Sequence, residues 1–265
     1  MYKVKLKFNH SHFTLKAIIN IGLLVCLSLI NPLFSQETGA FKSQQLKNKR
    51  VKDAYATKWP GLEAELKAKK VDPSALEVFI RIFKKEKELE LWVKNKSDAK
   101  FTFLKKIAIC ASSGELGPKR KEGDYQVPEG IYDIPAFNPN SSYFLALKVG
   151  YPNKSDKILV DGKRTGGDIM IHGNCVTIGC IPLQDDPVKE VYMLCVEAKN
   201  NNTSPRVEIY PCKFTEENMG FLENNFDAGK NNFWKNIKPA YTYFEANRTP
   251  AKYSINTKGA YVFSN

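Results

Sequence analysis

The chain has 265 residues, 40 basic and 28 acidic side chains, a net charge of +12 and six cysteines. Its length and 43% hydrophobic content allow one sizeable domain with an appendage, and the cysteine count excludes a dense disulfide framework. The basic balance suits an anionic cell wall or membrane face; nucleic acid is the competing partner class, and no nucleic-acid motif supports it.

Residues 1–35 read as a secretory signal. Lys3, Lys5, Lys7 and Lys16 give a basic start without an acid, an apolar core runs from Ala17 to Phe34, and Ser35 precedes Gln36 at a plausible cleavage point. An uncleaved anchor is the alternative, because the apolar run of about 18 residues approaches a spanning length, although Asn31-Pro32 interrupts it. A lipoprotein signal at Cys26 fits less well, since bulky Val25 precedes it. Removal of the signal implies an exported protein of the periplasm or cell envelope with no stable membrane span. It takes away His10 and His12 and leaves His172 as the single histidine. It also leaves five cysteines, so at least one thiol stays unpaired within the chain. Cys110 and Cys195 lie in apolar surroundings and read as small packing residues. Four lysines go with the signal, so the remainder carries a net +8.

Residues 36–58 are polar and lysine-rich without an apolar period and read as a tether. Trp59-Pro60-Gly61 then opens a short helix with Leu62 and Leu66 on one face. Val78–Phe83 is an apolar strand, Leu89, Leu91 and Val93 alternate in a second, and Phe101–Cys110 holds a third; short polar turns make these an antiparallel meander. Residues 112–130 are punctuated by glycine and proline and read as a long functional loop on a rigid sheet, or as an ordinary connection. Tyr143–Val149 is another strand, and Ile169-Met170-Ile171 is the strand that leads to His172. Asp185-Asp186-Pro187 starts a helix, with an aspartate cap and the stripe Val188, Val191, Tyr192, Cys195 and Val196. After residue 200 come a strand at Val207–Tyr210 and a helix over 215–236, read as an aromatic-rich extension packed on a domain spanning 59–200.

The stretch Ile-Met-Ile-His-Gly-Asn-Cys-Val-Thr-Ile-Gly-Cys, residues 169–180, carries the chemistry. His172 precedes Cys180 by eight positions, which suggests a thiol nucleophile with an imidazole base that takes its proton or holds the thiolate as an ion pair. Gly179 lets the backbone approach a substrate, and peptide N–H groups around Gly179 and Cys180 can bind an oxyanion. A backbone carbonyl near Gly173, or the Thr177 hydroxyl, can orient the imidazole. Three other readings compete: a Cys175–Cys180 disulfide, a zinc site joining these cysteines to His172 and Asp185 or Asp186, and a purely structural turn. A non-catalytic exported wall-binding protein and a thiol redox protein are the alternatives of other classes.

The same stretch resembles the active-site motif of L,D-transpeptidases with a YkuD-type catalytic domain, closest to the YafK-like branch. Val78–Lys84, Gly117-Pro118-Lys119 with Glu122-Gly123-Asp124, Pro128–Tyr132, Arg164-Thr165-Gly166 and the aromatic region at Phe233, Trp234 and Tyr241 extend the likeness over roughly residues 59–263. The resemblance implies an α+β fold, mainly β with a few helices: an L,D-transpeptidase-like β-sandwich or sheet domain with a helical C-terminal extension. It implies Cys180 as nucleophile and His172 as proton donor and acceptor. Gly179, Thr177 and Gly173 are the oxyanion and supporting residues, and Arg164 is a candidate for a substrate carboxylate by charge and position. It implies peptidoglycan stem peptides as partners, acyl transfer or hydrolysis at the third residue, and no metal or organic cofactor. Cys175 matches a position that is not the nucleophile, and Pro182 stands where the wider family often has Arg.

Overall fold

The computed structural model describes residues 39–264. The expected signal segment lies outside them. Among the described residues no helix is long and apolar enough to cross a membrane.

The chain begins with helices α1 (Ala40–Gln45) and α2 (Lys49–Ala68). The tether expected over 36–58 is corrected here: from Ala40 onward most of that stretch is helical and packed. Asn48 caps α2 by accepting the Arg50 N–H at 2.9 Å. Val51, Ala54, Leu62 and Leu66 then give α2 a narrow apolar face that is almost fully buried. Pro60 sits inside this helix and does not open it.

Strands β1 (Leu76–Phe83), β2 (Glu88–Asn95) and β3 (Thr102–Ala108) form the expected antiparallel meander. β4 (Gly130–Asp133) follows the long loop, then β5 (Ala136–Ser141) and β6 (Phe144–Lys148). Short helix α3 (Lys154–Ile158) begins at Asn153, whose side chain and that of Asp156 form a reciprocal cap. β7 (Met170–His172) and β8 (Ile181–Pro182) bracket the central stretch. After them come α4 (Asp185–Asn200) and β9 (Arg206–Tyr210). The single helix expected over 215–236 is two, α5 (Glu216–Asn225) and α6 (Ala228–Asn247). They are separated where Asp227 caps α6 by accepting the Lys230 N–H at 2.9 Å. A hairpin of β10 (Lys252–Ile255) and β11 (Tyr261–Ser264) ends the described chain.

The result is a mixed α+β fold with a five-stranded sheet in the order β3-β2-β1-β9-β4, a four-stranded sheet β5-β6-β7-β8 and the small hairpin. Helix α4 packs against β1 and β6 and is also contacted by α1 and α2. β9 runs parallel to β1 and antiparallel to β4, inside the five-stranded sheet. The extension expected from residue 201 is therefore corrected: its first strand belongs to the main sheet, and the appended part begins after Tyr210.

β1 is buried on both faces, which is why its sequence reads as a continuous apolar run. Val78, Ile80 and Ile82 belong to the core around α4, whereas Phe79 and Phe83 belong to two aromatic clusters built with the C-terminal helices. Arg81 lies between them. Its guanidinium is held by Glu245 at 2.7 Å and by the rings of Phe83, Tyr241 and Phe244.

Candidate active site

β7 lies between β6 and β8, antiparallel to the first and parallel to the second. Ile171 pairs with Ile181 and His172 with Pro182. One step back along this register sets Cys180 opposite Met170. Cys180 thus immediately precedes β8, at the level of Met170 and two residues along from His172 on the neighbouring strand. Among the described residues no hydrogen bond joins them.

His172 is buried. Its Nδ1 lies 2.5 Å from the Gly173 carbonyl oxygen. A carbonyl only accepts, so Nδ1 carries the proton and Nε2 is left as the basic nitrogen. Of the two groups open in the sequence, the Gly173 carbonyl is the one in contact with the ring. Thr177 does something else: its hydroxyl donates to the Cys180 carbonyl at 2.8 Å and accepts the Gly179 N–H at 3.1 Å. The Tyr143 ring covers the imidazole at 4.8 Å between centroids, tilted by 33°. Burial pulls the His172 pKa down from 6.5, against the opposing pull of the Gly173 carbonyl. The imidazole is therefore neutral at pH 7.

Cys180 is partly buried, and its thiol approaches the Asp168 carbonyl oxygen at 3.6 Å. Burial pushes this thiol up from 9.0; the Met170 N–H pulls it back, the Asp168 charge adds to the rise and Lys119 opposes it. The thiol is protonated at neutral pH. Of the two forms open in the sequence, these directions favour a neutral thiol beside a neutral imidazole over the ion pair.

The turn before Cys180 depends on glycine. Gly179 has φ +135°, and a Cβ there would sit 3.1 Å from the Gln126 carbonyl oxygen. Its N–H is taken by Thr177, and the Gly173 N–H is taken by the Leu145 carbonyl at 3.1 Å. The Cys180 N–H has no partner among the described residues and is available to an acceptor. The Gly179 N–H, an oxyanion candidate in the sequence, is therefore occupied within the turn, whereas Thr177 and Gly173, named there as supporting groups, bond within the site.

Two expectations about cysteine are overturned. Cys175 is bonded to Cys110, with Cα atoms 5.5 Å apart, so it pairs with neither Cys180 nor a metal. Cys110 is consequently not a free packing residue; Cys195 is buried and free as expected. Asp185 does not cap α4, whose N-cap is Gln184; its carboxylate instead accepts the Asn174 N–H at 2.8 Å. Arg164 is exposed and pairs with Glu122 at 3.3 Å. It lines an open cavity with Lys157, Lys163, Thr165 and Asp168, whose carbonyl touches the thiol.

Three contributors carry no signal in the sequence. Tyr143 covers the imidazole. Arg50 of α2 fixes the turn that bears Tyr143 by donating to the Ser141 and Phe144 carbonyls, each at 2.6 Å. Cys110 lies far from Cys175 in sequence; the odd cysteine count requires a free thiol without saying which one.

Residues 77–209 match the YkuD family model, described as the L,D-transpeptidase catalytic domain. The YafK protein of Escherichia coli K12, named as a candidate L,D-transpeptidase, is 36% identical over 191 residues, which cover 71% of this chain and 74% of YafK. Among solved structures, the helical cell shape determining protein Pgp2 of Campylobacter jejuni aligns with 69% of this chain and 73% of its own, at 18% identity and a TM-score of 0.42. Bd1075 of Bdellovibrio bacteriovorus aligns with 51% of this chain and 47% of its own, at 19% identity and a TM-score of 0.37.

Proposed function

Since the chain belongs to the L,D-transpeptidase family and carries its YkuD catalytic domain, we propose that it is an exported cysteine acyltransferase acting on peptidoglycan stem peptides. The observation that carries this reading is the His172 imidazole, bound through Nδ1 to the Gly173 carbonyl at the end of β7, with the free thiol Cys180 immediately before the paired strand β8. Nε2 takes the thiol proton as Sγ bonds to the carbonyl carbon of the third stem residue. The Cys180 N–H stabilises the oxyanion. The amide C–N bond then breaks, and the imidazolium returns its proton to the leaving amine of the terminal D-residue. The thioester passes next to an amine, which makes a crosslink, or to water, which releases the acid. Arg164, with Lys157 and Lys163, supplies positive charge for substrate carboxylates.

Transfer to an amine is the favoured outcome, because it defines the family. Hydrolysis is the alternative, raised by the likeness to the YafK-like branch, and among the described residues none identifies an acceptor groove that would hold an amine and keep water out. Incubation with tetrapeptide muropeptides in heavy-oxygen water with excess amine tests both outcomes by mass. A thioester at Cys180, lost in Cys180→Ala, followed by an unlabelled amide, is expected. Label in nearly all product would make the protein a hydrolase. Failure of Cys180 to acylate at all would overturn the enzyme reading.

A further inference from the structure

A buried charged network lies behind the nucleophile and is not part of the chemistry above. Lys84, at the end of β1, and Glu129, just before β4, are both buried, and their charges meet at 3.0 Å. The Lys84 ammonium also donates to the Gly117 carbonyl at 2.8 Å and to the Val127 carbonyl at 2.9 Å, so all three of its protons are satisfied. Glu129 accepts the Gly117 N–H at 2.8 Å on one oxygen and the indole N–H of Trp234 at 2.6 Å on the other. Trp234 is fully buried in α6. The two ends of the 117–127 loop are thus tied, through one ion pair, to a side chain of the C-terminal extension.

That loop is the backing of the catalytic turn. The Gln126 carbonyl lies against Gly179, and Lys84, Val127, Cys180 and Ile181 line one small cavity behind the thiol. An ion pair this deeply buried is a poor source of stability, since well-packed apolar residues often replace one without loss. Its geometric consequence is specific: it fixes the height of Val127 and Gln126 beneath Gly179.

We propose that Trp234, Glu129 and Lys84 are positioning residues through which the C-terminal helices hold the Gly179 turn, and with it the Cys180 N–H, in the geometry that binds the oxyanion. This rests on the acyl-transfer reading above. It gives the aromatic extension a role in the reaction without contact with the substrate. Loss of the network relaxes the turn and removes oxyanion stabilisation, while the thiol itself stays as reactive as before.

The test compares two reactions of Cys180 in the full chain. Acylation by a carbapenem forms a tetrahedral oxyanion and needs the turn; alkylation by iodoacetamide displaces iodide and does not. In Trp234→Phe, which removes the N–H along with part of the buried ring, and in Lys84→Met/Glu129→Leu, which replaces the ion pair with apolar groups, acylation should fall by about tenfold or more. Alkylation should stay within about twofold of the original protein. With muropeptide, kcat should fall while KM changes little. Equal loss in both reactions marks general destabilisation and overturns the proposal, as does unchanged acylation in a folded double variant. If the original protein takes the carbapenem but no muropeptide, the substrate reading fails and the positioning role stands. If it takes neither, both fall.

Discussion

In the proposed reaction His172 serves as a base whose tautomer is fixed by one backbone carbonyl. Burial lowers its pKa from 6.5, so the imidazole stays neutral below the usual histidine range. Activity that needs neutral His172 is lost only as pH falls through this lowered value, and the acid limb of kcat/KM should therefore lie below pH 6.5. Cys180 moves the other way, up from 9.0, so the thiol depends on the base throughout the neutral range. His172→Ala should reduce acylation by about 10²–10⁴-fold. Its residual rate should keep rising past pH 9, as the thiolate forms unaided. A pH–rate profile with its acid limb centred above pH 7 would contradict the lowered His172 pKa, and a thiol that alkylates at full rate well below pH 7 would point to a preformed thiolate–imidazolium pair. Tyr143 and Gly173 belong to the same unit. A Cβ at Gly173 would lie 2.5 Å from an Asp185 carboxylate oxygen and 3.0 Å from the Phe144 Cβ, so the orienting carbonyl requires glycine beneath it.

The loop between β7 and β8 is the element on which the site turns, and it is anchored along its length. Asp185 holds Asn174, the Cys110 disulfide holds Cys175, and Thr177 closes the last turn. Cys110 also donates its N–H to the Pro182 carbonyl at 3.1 Å, so β3's end is tied to the chain on both sides of Cys180. Cys110→Ser/Cys175→Ser should lose about 2–4 kcal/mol of stability in urea unfolding. Its acylation should also fall several-fold, and dithiothreitol should bring the original protein to the same level. Acylation in the reduced protein at the oxidised rate would show that the clamp does not serve the site. The sequence made β1 to β3, β7 and α4 legible because their apolar patterns are local and strong. α2 was hidden by its narrow buried face and by Trp59-Pro60-Gly61, which mimics a helix start. β9 was assigned to the extension because a parallel pairing with β1 leaves no local trace, and the Cys110–Cys175 bond, 65 residues apart, is invisible for the same reason.

At the scale of the whole molecule, the proposed capture of peptidoglycan can be tested apart from the chemistry. Beyond residue 35 the chain carries a net +8, and a surface of that sign attracts an anionic wall. Such attraction is screened over about 10 Å at 0.1 M salt and over about 3 Å at 1 M, so it weakens steeply with ionic strength. Cys180→Ala, which cannot acylate, should therefore sediment with purified peptidoglycan sacculi at low salt and be released by high salt. The charge is not spread evenly about the site: Lys157, Lys163 and Arg164 are exposed on the cavity that reaches Asp168 and the thiol. Reversing these three to Glu should reduce retention more than reversing the exposed Lys47, Lys52 and Lys69 of the N-terminal helical region, although both variants lose the same net charge. Equal loss in the two variants would mean that bulk charge alone recruits the wall and that the cavity has no part in it. Retention indifferent to salt in every variant would remove electrostatics from the account and leave shape and hydrogen bonding at the site as the means of capture.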